Sequence, residues 1–148
     1  MTMSQVSDVV QKFFEDFERS SNTFESDLLP LQFSDPFMVA DPDGGIQVVR
    51  MDDFIAGIAK RRAFFQSLGL QFTKMVSLDE TRLNEHYVMA NVHWQMHFEK
   101  DPGKPVDAHN SSVYILFVRD DSPRIVFYLT HENIMKIMQK LGLLSGER

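Results

Sequence analysis

The sequence predicts a single α+β domain with helices first and a strand-rich second half. Its 148 residues are an ordinary length for one domain, and 43% apolar residues are enough to build one core. Early in the chain the apolar residues recur at helical spacing, whereas around Trp94 they alternate strictly with polar ones, as in a strand with one buried face. We therefore expect helices packed against an antiparallel sheet.

Two helices are predicted at the start of the chain. Helical spacing predicts an amphipathic helix over about residues 4–20, with Ser4 as its N-cap. A short second helix follows over 23–29, with Asn22 and Glu25 spaced as a capping box and Pro30 ending it. The apolar side of the first helix carries Val6, Val9, Val10, Phe13, Phe14 and Phe17.

A hairpin and a third helix are predicted next. Two short strands, 36–40 and 46–49, flank an Asp-Pro-Asp-Gly-Gly sequence that is typical of a tight turn. Asp52 or Asp53 then caps a helix that closes at Gly69.

A three- or four-strand meander is predicted after this helix. Residues 88–98 form a long strand, and strands near 109–119 and 124–130 follow. Thr130 is expected to cap a final helix that stops at Gly142. In the long strand Val88, Val92, Trp94, Met96 and Phe98 should face the helices, with His93 and His97 on the opposite face.

Composition argues against several classes of function. A net charge of −6 and a pI near 5.3 leave no electrostatic footprint for nucleic acid. Without cysteine there are no disulfides, thiol nucleophiles or cysteine-ligated metals. The start of the sequence shows no signal-peptide pattern, and the longest apolar run, 113–118, is far short of a membrane span. We expect a cytoplasmic protein without membrane contact, and interpret Lys60, Arg61 and Arg62 as the solvated side of a helix.

The element order resembles that of the nuclear transport factor 2-like superfamily, which includes ketosteroid isomerase, scytalone dehydratase, limonene epoxide hydrolase and polyketide cyclases. The Val-Val-Gln-Lys-Phe stretch at 9–13 is similar to the first helix of the bacterial ketosteroid isomerases. The Val-Ala-Asp-Pro stretch at 39–42 is similar to the strand-turn that holds their catalytic aspartate. The resemblance implies one domain over 1–148, with the N-terminal helices in the concave face of a curved antiparallel sheet. Its core would span about 5–131, and 131–142 would be a helical extension.

Residue by residue, the resemblance places Asp41 at the position of the isomerase base. The oxyanion tyrosine of that family falls on Phe13, which has no hydroxyl, and the partner aspartic acid falls near Tyr114 or Ile115, where no carboxylate stands. An enolate would lack its hydrogen-bond donors, which argues against steroid isomerisation. Another chemistry in the same cavity stays open.

A ligand pocket is predicted between the first helix and the sheet. Phe and Met are abundant, 13 and 9 residues, and such side chains leave irregular apolar gaps under a curved sheet. A one-residue slip of its strand would replace Phe117 in the pocket wall by Leu116. The candidates are Asp41 and Tyr114 for catalysis and Phe13, Phe17, Trp94, Phe117, Tyr128 and His131 for ligand binding.

Several of these residues also allow an ordinary structural interpretation. Asp41 could act as a base at a Phe-rich cavity, or it could simply hydrogen-bond its own turn. His131 could reach the cavity mouth, or it could belong to the start of the last helix. His93 and His97 lie about 13 Å apart along a strand, too far to share one metal ion. We predict no metal and no cofactor.

Three hypotheses on function remain from the sequence. The first is an enzyme of the isomerase, dehydratase or cyclase type with acid–base chemistry around Asp41 and Tyr114. The second is a non-catalytic domain that holds a small apolar molecule. The third is an assembly module, because the outer face of the long strand is neither strongly charged nor strongly apolar, as in many subunit interfaces. We expect a homodimer through that face, which carries Met89, Asn91, His93, Gln95 and His97.

Overall fold

The computed structural model describes residues 7–143, which form an α+β domain of helices and a curved, unclosed six-stranded sheet. Within this range, no helix is long and apolar enough to cross a membrane. The helices are α1 (Asp8–Thr23), a 3₁₀ helix (Ser26–Leu28), α2 (Leu29–Gln32), α3 (Met51–Ser67) and α4 (Ile134–Lys140). The strands are β1 (Phe33–Ala40), β2 (Ile46–Val49), β3 (Leu70–Arg82), β4 (Tyr87–Asp101), β5 (Lys104–Arg119) and β6 (Ser122–Thr130).

The sheet has the strand order β2-β1-β6-β5-β4-β3 and is mixed. The predicted meander exists and has four strands, β3 to β6, each antiparallel to the next. The hairpin strand β1, however, runs parallel to β6, so the sheet is not wholly antiparallel as predicted. Turn sequences report only the pairing of neighbouring strands, and the β1–β6 contact joins distant parts of the chain.

The first helix begins later and ends later than predicted. The Ser7 hydroxyl accepts from the amide of Val10 over 3.4 Å, so α1 starts at Asp8, and the predicted cap Ser4 lies outside the described residues. The helix continues through the polar stretch 20–22 because the buried Ser20 hydroxyl donates to the carbonyl of Phe17 over 3.1 Å. Phe24, in the left-handed conformation, ends it.

The prediction of the second helix is wrong. Pro30 lies in the first turn of α2, where a missing N–H costs nothing, rather than at the end of a helix over 23–29. The Asn22–Glu25 capping box does not form, because the Asn22 side chain binds the sheet. Its amide donates to the carbonyl of Thr73 over 2.9 Å, and its oxygen accepts from the Thr73 amide over 2.7 Å. Glu18 accepts in the same way from the amide of Met75 over 2.7 Å, so α1 is anchored along β3.

The remaining helices start at other residues than predicted. The N-cap of α3 is Arg50, and a carboxylate from β1, that of Asp35, accepts from the amide of Met51 over 3.0 Å. Asn133 rather than Thr130 caps α4 with its side-chain oxygen, since Thr130 is the last residue of β6. The end of α3 is as predicted, with Gly69 at φ 87° and its Cα against the backbone of Lys100.

The inner face of β4 is the one that the alternation predicts. Val88, Val92, Trp94 and Phe98 are buried, whereas the His93 and His97 side chains lie on the opposite face and are half-buried.

The buried residues form two clusters. The larger lies under α1 and includes Phe14, Phe37, Leu116 and Ile125, and the smaller joins the end of α3 to α4 through Phe65, Phe98 and Met138.

Candidate functional site

A cavity of about 430 Å³ lies where the two apolar clusters meet. Its wall is formed by the C-terminal half of α1, by α2 and α3, and by the inner faces of β1 and of the meander. Its size is in the range of pockets that hold small organic ligands. A cavity therefore lies between the first helix and the sheet, and its use as a ligand pocket stays a prediction.

Aromatic side chains form the floor of the cavity. The Phe17 ring lies 6.0 Å from the ring of Trp94, 6.0 Å from that of Tyr114 and 5.8 Å from that of Phe33, measured between centroids. Phe17 thus joins α1 to the inner faces of β4, β5 and β1. This arrangement presents ring faces and edges to any molecule in the cavity.

Two tyrosines on neighbouring strands bring hydroxyl groups to this wall. Tyr114 of β5 is directly paired with Tyr128 of β6, and both line the cavity. The Trp94 indole N–H donates to the Tyr114 hydroxyl over 3.0 Å. Burial raises the pKa of Tyr114 to about 12, against the lowering effect of hydrogen bonds with Trp94 and Ser112. Burial also raises the pKa of Tyr128. Both phenols are therefore neutral hydrogen-bonding groups at physiological pH.

Small buried polar groups interrupt the apolar wall at two further places. Ser20 of α1 and Gln32 of α2 are buried and hydrogen-bonded to each other over 3.0 Å. Ser112 is buried on β5, two residues before Tyr114 on the same face of the strand, and also lines the cavity. A ligand with one or two polar atoms would find partners here.

Two arginines of α3 also line the cavity. The Arg61 guanidinium carbon lies 4.9 Å from the centroid of the Phe65 ring, and that of Arg62 lies 3.8 Å from the centroid of the Phe24 ring. The Nε–H of Arg62 is buried and has no acceptor within residues 7–143. This corrects the interpretation of Arg62 as part of the solvated side of a helix, whereas Lys60 and Arg61 are exposed as that interpretation predicts.

Asp41 lies at the rim of the cavity, and its carboxylate is exposed. One oxygen accepts from the amide of Asp43 over 2.8 Å and from that of Gly45 over 3.1 Å. A Cβ at position 45 would collide with the same carboxylate. These contacts are those that the turn interpretation predicts.

Three candidate residues do not line the main cavity. Phe13 is buried one helical turn before Phe17, where α1 is already in contact with the core, and its ring lies 5.1 Å from that of Phe14. Phe117 lies on the outer face, because the pairing of Tyr114 with Ala90 turns the even-numbered residues of β5 inwards. Leu116, which a one-residue slip would place in the pocket wall, is buried on the inner face but is not among the residues that line the cavity. His131 is exposed beside a separate depression at the rim, next to Asp41 and Gly44.

The histidines on the outer face pair across strands rather than along one. The Nε2 atom of His93 is 3.3 Å from Nδ1 of His109, and its Nδ1 atom is 2.9 Å from the Ser111 hydroxyl. His97 bonds the carboxylate of Asp107 over 2.6 Å. A hydrogen bond from Gln95, and then the one from His97, lower the pKa of Asp107. Among the described residues, no three His, Asp or Glu side chains are grouped to hold a metal ion.

Sequence reasoning missed Arg61, Arg62 and Ser112 as cavity residues. A signal for the arginines existed, because Phe54, Ile58 and Phe65 form an apolar stripe at helical spacing, and position 61 or 62 completes it. For Ser112 the signal was the alternation of β5, in which Ser112 and Tyr114 share a face.

No protein-family model matches the sequence, and no curated protein matches it. Many solved structures resemble the fold. An NTF2-like protein of unknown function from Shewanella oneidensis matches with a TM-score of 0.66 at 17% identity, over 83% of this chain and 96% of that one. An NTF2-like protein with a cystatin-like fold from Novosphingobium aromaticivorans matches with a TM-score of 0.64 at 12% identity, over 82% and 77%. A proposed polyketide cyclase from Xanthomonas campestris matches with a TM-score of 0.58 at 11% identity, over 90% and 96%. The chain therefore has the NTF2-like fold, also called cystatin-like, that the sequence resemblance implied.

Proposed function

We propose that the protein binds a small, largely apolar molecule in the cavity between α1, α3 and the sheet. The observation that carries this proposal is an aromatic cavity of about 430 Å³ with neutral hydroxyl groups on one wall. The Phe17, Phe33 and Trp94 rings offer the apolar contact area. The Tyr114 hydroxyl, held by the Trp94 indole, offers a hydrogen bond that orients the ligand.

A thermal-shift screen with apolar ketones, lactones and epoxides tests the proposal. Serine-to-leucine substitutions at two neighbouring positions provide a matched pair of variants. Ser112→Leu places a large side chain in the cavity, whereas Ser111→Leu places the same side chain on the outer face of β5. We expect a ligand to raise the melting temperature of the wild type and of Ser111→Leu, and to lose this effect in Ser112→Leu. Equal stabilisation of the two variants would place the ligand elsewhere.

Acid–base chemistry on the bound molecule is the second candidate function. The buried Tyr114 phenol keeps its proton at neutral pH and can donate to a ligand oxygen that gains negative charge. Asp41 is the carboxylate that the sequence nominated as the base, and it stands at the rim of the same cavity. The proposed polyketide cyclase among the structural relatives is in keeping with such chemistry.

Turnover measurements on any compound that the screen selects separate the two functions. For an enzyme, Asp41→Asn and Tyr114→Phe should each abolish turnover, while the stabilisation by the ligand is largely retained. Asparagine keeps an oxygen acceptor for the turn amides, so this variant removes the base without removing the turn. Binding without turnover in the wild type would leave the non-catalytic function.

We further propose that the protein forms a homodimer through the outer face of its sheet. Cross-strand pairs opposite the cavity bring together Val113 with Leu129 and Ile115 with Phe127, and Met38 of β1 pairs with Phe127. These side chains form a continuous apolar row of a kind that subunit interfaces cover. The predicted strand face of β4 adjoins this row through Met89, which pairs with Ile115.

A further inference from the structure

We propose that the natural ligand is an organic acid, whose apolar body lies among the aromatic rings and whose carboxylate is held by Arg61 and Arg62. The inference rests on the proposed function, since it names the chemical class of the molecule in that cavity. It comes from the two guanidinium groups that line the cavity together with its aromatic rings and hydroxyl groups.

The two arginines have no acidic partner in the described part of the chain. Ion pairs within 4.0 Å join Lys12 and Arg19 to Asp16, and His97 to Asp107, but none involves either arginine. The carboxylates of Asp41 and Glu25 at the cavity rim bind other groups. That of Asp41 accepts from backbone amides of its own turn, and that of Glu25 accepts from the Thr23 hydroxyl. Glu132 is exposed and makes no ion pair within residues 7–143. The positive charge at the cavity is therefore not neutralised by a direct protein contact.

The surroundings of the Arg62 guanidinium group favour the binding of an anion. This group lies over the Phe24 ring, with the guanidinium carbon 3.8 Å from the ring centroid, so the ring shields one side of the group from water. Its Nε–H is buried without an acceptor, which is unfavourable unless a further group supplies one. The planar fork of a guanidinium group matches the two oxygens of a carboxylate, and such charge-assisted pairs are the stronger hydrogen bonds.

The positive charge of Arg61 acts on the two tyrosines of the cavity, Tyr114 and Tyr128. It acts to lower the pKa of both Tyr114 and Tyr128, although burial outweighs it at each residue. Arg61, Tyr114 and Tyr128 also line the same cavity. A carboxylate in this space could accept from the arginines and from a phenol at once.

Calorimetric titration with 2-naphthylacetic acid and with its primary amide tests the proposal. The two probes have nearly the same shape and differ in charge. Both carry the same naphthyl group, whose apolar rings suit the aromatic cavity. At pH 7 and low ionic strength we expect the acid to bind the wild type at least about tenfold more tightly than the amide. Equal binding of the two probes would overturn the inference and leave the proposed function intact. Binding of neither probe, together with a negative screen of neutral ligands, would overturn the proposed function itself.

Substitutions on α3 locate the effect. Arg61→Gln and Arg62→Gln should each reduce the preference for the acid, whereas Lys60→Gln, with the same change of charge on the same helix but outside the cavity wall, should keep it. A preference retained in both arginine variants would overturn the assignment. Arg62→Lys keeps the charge without the fork and serves if the glutamine variant fails to fold; it should weaken acid binding more than amide binding. Tighter binding of 2-naphthyl phosphate than of the acid would overturn the choice of a carboxylate over a phosphate.

Discussion

The Trp94 indole N–H donates to the Tyr114 hydroxyl across adjacent strands of the cavity wall, at 3.0 Å between the nitrogen and the oxygen. Both side chains are buried, so this hydrogen bond lies in the interior of the protein rather than at its surface. Tyr114→Phe removes the acceptor and leaves a buried N–H group. We expect this substitution to lower the free energy of unfolding by about 1–3 kcal/mol in urea titrations at pH 7.

The same change at an exposed tyrosine is the control. Tyr87 lies at the start of β4 and is 37% exposed, and Tyr87→Phe should change the free energy of unfolding by less than about 0.5 kcal/mol. Equal effects of the two substitutions would show that the Trp94–Tyr114 hydrogen bond contributes no stability.

Alkaline pH should reveal the raised pKa of Tyr114. The Tyr114 phenol loses its proton near pH 10.0 in the unfolded chain and near about 12 in the folded chain. The contribution of the protonated phenol to the free energy of unfolding is therefore complete below pH 10 and is lost as pH rises through 12. A shift of this size corresponds to roughly 3 kcal/mol. Unfolding of the wild type and of Tyr114→Phe between pH 9 and pH 12 measures it. The difference in free energy of unfolding between the wild type and Tyr114→Phe should become smaller above pH 10. A difference that stays the same at every pH would contradict the prediction.

The hydrogen bonds of the Asp41 carboxylate should stabilise the turn between β1 and β2. Asp41→Ala removes an acceptor for the amides of Asp43 and Gly45 and should cost about 1 kcal/mol. Asp41→Asn retains an oxygen acceptor and should cost less. Asp43→Ala, in the same turn, is the control, since no hydrogen bond to its side chain is found within residues 7–143. A loss in Asp43→Ala as large as in Asp41→Ala would argue against this role.

The dimer proposal predicts a difference between two valine-to-lysine substitutions. Val113 lies on the outer face of β5 between its partners Asn91 and Leu129, whereas Val76 lies at the bulge of β3 and is 50% exposed. Sedimentation equilibrium at micromolar concentration should show a dimer for the wild type and for Val76→Lys, and a monomer for Val113→Lys. A monomeric wild type would refute the proposal.

The sequence predicts those parts of the fold in which local patterning and tertiary packing agree. The inner face of β4 is such a part, because Trp94 and its apolar neighbours alternate with polar residues. In β5 the run 113–118 is apolar on both faces, so alternation could not decide between Leu116 and Phe117. The second helix failed for a related reason, since the Asn22 side chain can cap a helix or bind a strand, and only the packed structure selects the strand.

The cavity was predictable in position but not in charge. Its aromatic floor follows from Phe17 and Trp94, which the apolar patterns of α1 and β4 direct inwards. Position 61 or 62 completes the apolar stripe of α3, but an arginine is ordinarily expected on a solvated face. The contact of Arg62 with the Phe24 ring depends on where α1 ends, since Phe24 is the C-cap of that helix.

The bonds from α1 to β3 also bear on how the protein avoids aggregation. β3 is an edge strand of the sheet, and the unpaired backbone groups of an edge strand can pair with strands of other chains. Asn22 occupies both backbone groups of Thr73, Glu18 occupies the amide of Met75, and a bulge follows directly. An incoming strand would have to detach α1, and with it the Phe17 wall of the cavity, before it could pair here. The helix that shapes the ligand site thus also protects this edge, so a ligand that holds Phe17 in place should slow the formation of fibrils.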